Sequence, residues 1–143
     1  MKIAYGADDE NETTRAVVAH LAAQGHKVVR PAASDAWPDI GEGVGRAVAT
    51  GDADRGIVMC WTGTGTAIAA NKVPGVRAAL AWDPWIARGA RLWNDANVLA
   101  LSLKRLSPDV AVAIVTAFLD TTEPDGDEAA NIARLGEIES RHP

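Results

Sequence analysis

The 143-residue chain contains one cysteine, one tyrosine, one phenylalanine and three histidines. A single cysteine excludes an internal disulfide framework and fits a protein kept reduced in the cytoplasm. No run of Lys or Arg is present, and the net charge is −5, so nucleic acid is not an expected partner. No apolar stretch reaches the roughly 18 residues that cross a bilayer, and the N-terminus enters a strand pattern without a leader, so no membrane role is expected. His20, His26 and His142 fall in a helix, at a strand entrance and in the tail, which argues against a metal centre or a histidine-based triad.

What is present is ordinary for a globular protein: 48% apolar and 23% charged residues, enough for one domain over residues 1–143. The aromatic set is unusual because five of its seven members are Trp, and Trp61, Trp82, Trp85 and Trp93 lie close together in the chain. Short β-type runs at Met1 to Gly6, Lys27 to Arg30, Gly56 to Cys60, Val76 to Ala81 and Asn97 to Leu101 alternate with helical spacing. The helices are expected at Thr13 to Gln24, Asp39 to Thr50, Ala67 to Asn71, Pro84 to Trp93, Pro108 to Leu119 and Asp127 to Ser140. This alternation specifies an α/β fold: a Rossmann-like three-layer αβα sandwich on a five-stranded parallel sheet, order 2-1-3-4-5, with a C-terminal helix. In such a sheet, ligands sit where the strand order reverses, between strands one and three, whose ends carry Asp8-Asp9 and Cys60 to Gly65.

Thr62-Gly63-Thr64-Gly65 offers backbone amides at a helix start, suited to an anion or a developing oxyanion; it reads equally as a tight strand-to-helix turn. It is not a dinucleotide fingerprint, since Ile68 stands where a third Gly or Ala is needed, and it is not a Walker loop. Beside that helix end a Cys60 thiolate would be stabilised, although by position alone a buried, inert cysteine is the favoured reading. Asp8 and Asp9 read as a hydrogen-bonding carboxylate pair or, more simply, as a loop leading into a helix cap.

The segments Asp54 to Cys60, Thr62 to Gly65, Ile68 to Ala78 and Asn94 to Ala100 together resemble the ribose-5-phosphate isomerase B and galactose-6-phosphate isomerase family over nearly the whole chain. The resemblance implies aldose–ketose interconversion through a cis-enediolate, with no metal or organic cofactor. It also implies a homodimer or a dimer of dimers, with its sugar site at the subunit interface. It assigns Cys60 as the base that moves a proton between C1 and C2. Thr66 stands where another branch carries a glutamate base. Asp8 is implied to hold substrate hydroxyls, the amides of Gly63 to Gly65 with Thr62 to receive the enediolate oxygen, and Asn94 to come from the partner subunit.

Several positions depart from the family pattern. Trp93 stands where the family has its ring-opening histidine, and indole cannot shuttle a proton as imidazole does. Asp9 replaces a histidine near the phosphate, Asp127 and Asn131 replace two phosphate-binding arginines, Lys104 matches an arginine, and Trp61 replaces a glycine. Carboxylates facing a phosphate dianion in a partly desolvated site cost several kcal/mol. The expected substrate is therefore a sugar or sugar derivative without the usual terminal phosphate. The alternatives are an ordinary sugar-phosphate isomerase that uses Arg134 or Lys104 for the phosphate, and a catalytically weak subunit of a LacA/LacB-like pair. Trp61 and Trp93 are expected to face substrate, Trp82 and Trp85 to serve core or interface.

Overall fold

The computed structural model describes Met1–Pro143. Strands β1 (Lys2–Ala7), β2 (Lys27–Val29), β3 (Arg55–Cys60), β4 (Ala78–Leu80) and β5 (Val98–Ser102) form one parallel sheet. Helices α1 (Glu12–Ala23), α2 (Trp37–Ala49), α3 (Thr64–Asn71), α4 (Pro84–Asn94) and α5 (Pro108–Asp120) connect and cover it. A last helix, α6 (Ala129–Ser140), follows a short 3-10 turn at Gly126–Glu128.

Side chains alternate across the sheet with period two, and each set finds its own helices. Ile3, Tyr5, Ile57, Met59, Leu99 and Leu101 pack on α1, α4 and α5. Ala4, Val58, Val98 and Ala100 pack on α2 and α3. Small residues set the second layer close: a Cβ on Gly41 would lie 2.5 Å from Ala69 and 2.7 Å from the Thr66 carbonyl. Helix α6 has no buried residue, and Leu135 and Ile138 on it stay exposed.

The observed strand order is 2-1-3-5-4, which corrects the expected 2-1-3-4-5. Burial explains the exchange. All five residues of β5 are buried, as a strand paired on both edges requires, whereas the three residues of β4 are only half-buried and suit the edge. The reversal point between β1 and β3 survives, but β5, not β4, now flanks β3 and carries Ser102 beside Cys60.

The turn after β3 depends on one glycine. Gly63 caps α3 at φ +79°, and a Cβ there would lie 2.6 Å from Leu80 Cδ1 and 2.9 Å from the Leu101 carbonyl carbon. Gly63→Ala is therefore expected to destabilise the fold by about 2–4 kcal/mol through left-handed strain and overpacking. Urea unfolding reads this loss directly.

Candidate active site

The C-terminal edge of the sheet brings together Asp8, Asp9, Cys60 to Thr66 and Lys104. Cys60 is buried at the end of β3, and its Sγ accepts hydrogen bonds from the Gly63 amide at 3.2 Å and from Thr66 Oγ1 at 3.4 Å. Burial pushes the thiol pKa up, but the Thr66 hydroxyl and the Thr66 and Gly63 amides together outweigh it and hold the thiol below its ordinary value. The negative charge of Asp8 offsets a little of that gain. A lowered thiol pKa is the direction a nucleophilic or basic cysteine needs.

Thr66 is itself 0% exposed. It sits beneath the thiol and donates to Cys60 Sγ. Thr66→Val keeps the volume and removes the hydroxyl donor. The thiol pKa then rises, so the alkaline onset of activity is expected at higher pH than in the parent; a thiolate absorbance titration checks the same shift without turnover.

The loop amides divide their work. Gly63 N–H donates to Cys60 Sγ and Thr64 N–H to Thr62 Oγ1 at 3.3 Å. The first-turn amide of Gly65 has no intrahelical acceptor. The hydroxyls of Thr62 and Thr64 are joined at 2.7 Å. Gly65 lies against the Trp37 ring, where a Cβ would be 3.0 Å from Cε3.

Asp8 follows β1, and its amide donates to the Met59 carbonyl at 3.1 Å, which fixes it beside β3. Its Oδ1 is buried with no hydrogen-bond partner. Burial and, secondarily, the charge of Asp9 raise its carboxyl pKa. An unpaired buried carboxylate oxygen is a strong acceptor waiting for a donor such as a substrate hydroxyl. Asp8 and Asp9 lie in the loop that leads into the α1 cap, where Asn11 and Thr14 bond reciprocally. They also line a cleft of about 600 Å³ with Arg15 and Arg30.

Asp9, Trp61 and Lys104 form one cluster. Trp61 Nε1 donates to Asp9 Oδ2 at 3.3 Å, and the Lys104 ammonium lies 5.4 Å from the indole centroid. Ser102 Oγ donates to the Trp61 carbonyl at 2.6 Å and pins the backbone.

The other expected site residues lie at the opposite edge. Helix α4 starts at the C-terminal edge and runs back for 11 residues, about 16 Å of rise, so its last residues Trp93 and Asn94 are far from Cys60 in the same chain. The Asp125 amide bonds the Leu92 carbonyl, which seats the 3-10 turn and α6 at that end too. Asp127 lies in the 3-10 turn, not in the helix as the spacing suggested, with its amide capped by Asp125. Asn131 donates to Glu128, and Arg134 pairs with Glu137 at 2.6 Å, all on exposed surface. Trp93 packs over Gly89 and edge-on to Trp85 at 5.5 Å. Trp82 and Trp85, 63% and 66% exposed, are not core.

Four residues near these side chains were missed in the sequence: Ser102, Trp37, Arg15 and Arg30. Ser102 would have been found with the correct strand order, because it pairs in register with Cys60. Trp37 is brought near by the crossing of α2 over α3 and Arg30 by the pairing of β2 with β1, whereas Arg15 stands on the first turn of α1, just after Asp8 and Asp9.

Residues 3–135 match the family model described as Ribose/Galactose Isomerase. Ribose-5-phosphate isomerase B of Escherichia coli is 34% identical over 98% of this chain and 97% of its own. D-erythrulose-4-phosphate isomerase of Pectobacterium atrosepticum is 38% identical over 72% of this chain and 68% of its own. The solved structure of ribose-5-phosphate isomerase B from Clostridium thermocellum superposes with a TM-score of 0.92 at 38% identity, covering 100% of both chains. Agreement of this extent, through both the sheet and the loop that carries Cys60, means that the chain belongs to the ribose/galactose isomerase family and is one of its sugar isomerases.

Proposed function

We propose that Cys60 is the base of a ketol isomerisation carried out on an open-chain sugar. The thiolate removes the proton from the carbon beside the carbonyl, and the electron pair moves to the carbonyl oxygen to give a cis-enediolate. The thiol returns the proton to the neighbouring carbon as the hydroxyl proton passes to the other oxygen. The observation that carries this reading is the Cys60 sulfur held by Gly63 and Thr66 next to an Asp8 oxygen that lacks a donor. Asp8 holds substrate hydroxyls. The Gly65 amide and Thr62 are the groups left to receive the enediolate oxygen.

The reading includes a homodimer, or a dimer of dimers, with the site between subunits. Its support is the separation within one chain: Asn94 of the partner subunit can reach the Cys60 end only from a second copy. The reduced thiol this chemistry needs fits a cytoplasmic protein.

No imidazole stands at the site: His20 bonds Thr116 Oγ1 and His26 bonds the N-terminal amine. A substrate that is open-chain in solution needs no ring-opening acid. The Pectobacterium relative is named for a four-carbon ketose phosphate, and a four-carbon ketose cannot close a five-membered ring. The substrate is further proposed to lack the usual terminal phosphate, because Asp9, Asp127 and Asn131 stand where the resemblance puts cationic groups; the cations of the Asp8-Asp9 cleft are Arg15 and Arg30. A second reading keeps a phosphate and assigns it to Lys104, which forms no ion pair and lies over Trp61 at the site.

The deciding experiment follows deuterium entry from solvent at C1 or C2 by NMR, with matched free and phosphorylated aldoses and ketoses of four to six carbons. Label entering free sugars at least as fast as their phosphates is the expected result. Much faster labelling of phosphates overturns the phosphate-free reading and favours Lys104. Silence across the panel favours a catalytically weak partner subunit.

A further inference from the structure

We propose that Trp61, clamped between Asp9 and Lys104, sets the carbon-chain length accepted at Cys60 and favours four-carbon sugars over longer ones. The inference rests on the Cys60 isomerase reading above and concerns how far from the reacting carbons a substrate extends.

The three residues follow the ends of three adjacent strands. Asp9 comes two residues after β1, Trp61 directly after β3, and Lys104 two residues after β5, in the sheet order β1-β3-β5. The indole reaches from β3 toward β1 to meet Asp9 Oδ2, and the Lys104 ammonium comes over it from the β5 side. It therefore crosses the reversal point at which Cys60 and Asp8 are displayed.

The clamp is chemically matched. A carboxylate accepts from the indole N–H, and a cation lies over the electron-rich ring face. The second oxygen of Asp9 is held by the Glu10 amide at 2.8 Å, so the anchor is itself oriented. The Trp61 backbone is fixed by Ser102, and the Cys60 carbonyl by the Leu103 amide at 3.0 Å. Trp61 is nevertheless 53% exposed. That exposure is not explained by core packing, and so much fixation of a half-exposed indole points to a wall against which something binds.

A sugar with its reacting carbons at Cys60 Sγ and a hydroxyl on Asp8 Oδ1 must direct its remaining carbons past this wall. Each added carbon needs room, and the ring, held at its edge by Asp9 and covered on its face by Lys104, takes up that room. Short chains end before the conflict.

The test measures binding of two enediolate mimics by titration calorimetry: a three-carbon aldonohydroxamate, whose nitrogen takes the place of C1 and so gives the four-carbon mimic, and a four-carbon aldonohydroxamate, which gives the five-carbon mimic. The parent protein is expected to bind the four-carbon mimic about tenfold or more tightly than the five-carbon one. Trp61→Gly is expected to bring the two within about twofold, while Trp61→Phe keeps the wall and most of the ratio. Asp9→Asn leaves the indole in place without its charged anchor and is expected to shrink the ratio partially. A ratio unchanged in Trp61→Gly, a parent that prefers the longer mimic, or binding of neither mimic overturns the proposal. Binding needs no turnover, so a ratio that moves as expected in a protein that exchanges no deuterium would remove the Cys60 reading and leave the length gauge standing.

Discussion

Cys60→Ser is expected to fold like the parent and to lose about two to four orders of magnitude in solvent-deuterium exchange. The serine oxygen still accepts from the Gly63 amide and the Thr66 hydroxyl, so the local network that holds the sulfur is kept. What disappears is basicity at accessible pH. The donors that bring the thiol below its ordinary pKa cannot bring an alcohol into the same range, so no anion forms to take the proton. Cys60→Ala separates the two roles in another way. It loses the same activity and also leaves the buried Gly63 amide unpaired, while the Thr66 hydroxyl keeps the Gly63 carbonyl as acceptor, at a cost of about 1–3 kcal/mol. Equal exchange rates with unequal urea midpoints are the expected pattern. Retained exchange in the serine variant would show that the proton is moved by another group, with Asp8 the nearest candidate.

Arg91→Ala is expected to destabilise the protein by about 3–5 kcal/mol, a large part of the roughly 5–15 kcal/mol that a domain of this size holds. Arg91 is 1% exposed, and its guanidinium makes four hydrogen bonds. Nε donates to the Thr121 carbonyl at 2.9 Å, and Nη2 to the Thr122 carbonyl at 2.8 Å. Nη1 donates to Asp95 Oδ1 at 2.8 Å and to the Ala96 carbonyl at 2.7 Å. The ring of Phe118 packs beneath it at 5.9 Å. Asp95 also binds Arg77 at 3.1 Å and sits at φ 49°, a backbone conformation that this paired carboxylate helps to hold. Truncation removes donors from three carbonyls, leaves Asp95 with Arg77 alone and opens a cavity.

Arg91→Met fills the space without the donors, so it is expected to recover only the packing share of the loss. Urea unfolding of the two variants divides the effect between volume and hydrogen bonding. The same network ties the end of α5 to the end of α4, and so sets where Trp93, Asn94 and the start of α6 stand. If the site is completed by a second copy, Arg91 variants should also weaken subunit association, which sedimentation at matched folded fraction would reveal.

The features legible in the sequence are those written in short stretches of chain. The alternation of strand and helix, the glycine turn after β3, and the position of Cys60 and Asp8 at strand ends all follow from local periodicity and turn chemistry. Strand order did not follow. Val76 to Ala81 and Asn97 to Leu101 are both short apolar runs, and nothing local says which pairs on two edges and which on one. The choice is made by burial: β5 can be enclosed on both faces and both edges, and β4, with its half-buried alanines, cannot use that place as well.

The same limit applies at the site. The sequence by itself determined a sulfur at the head of a glycine-rich turn, an aspartate across the strand reversal, and a shortage of cations where a phosphate was expected. Tertiary structure decided that Thr66 and Gly63 face the sulfur, which sets the direction of its pKa. It also decided that Asp9, Trp61 and Lys104 meet, and that Trp93, Asn94, Asp127, Asn131 and Arg134 lie at the far edge of the same chain. Hydrogen bonds and ion–aromatic contacts act within a few ångströms, and only the pairing of strands far apart in sequence brings such groups that close.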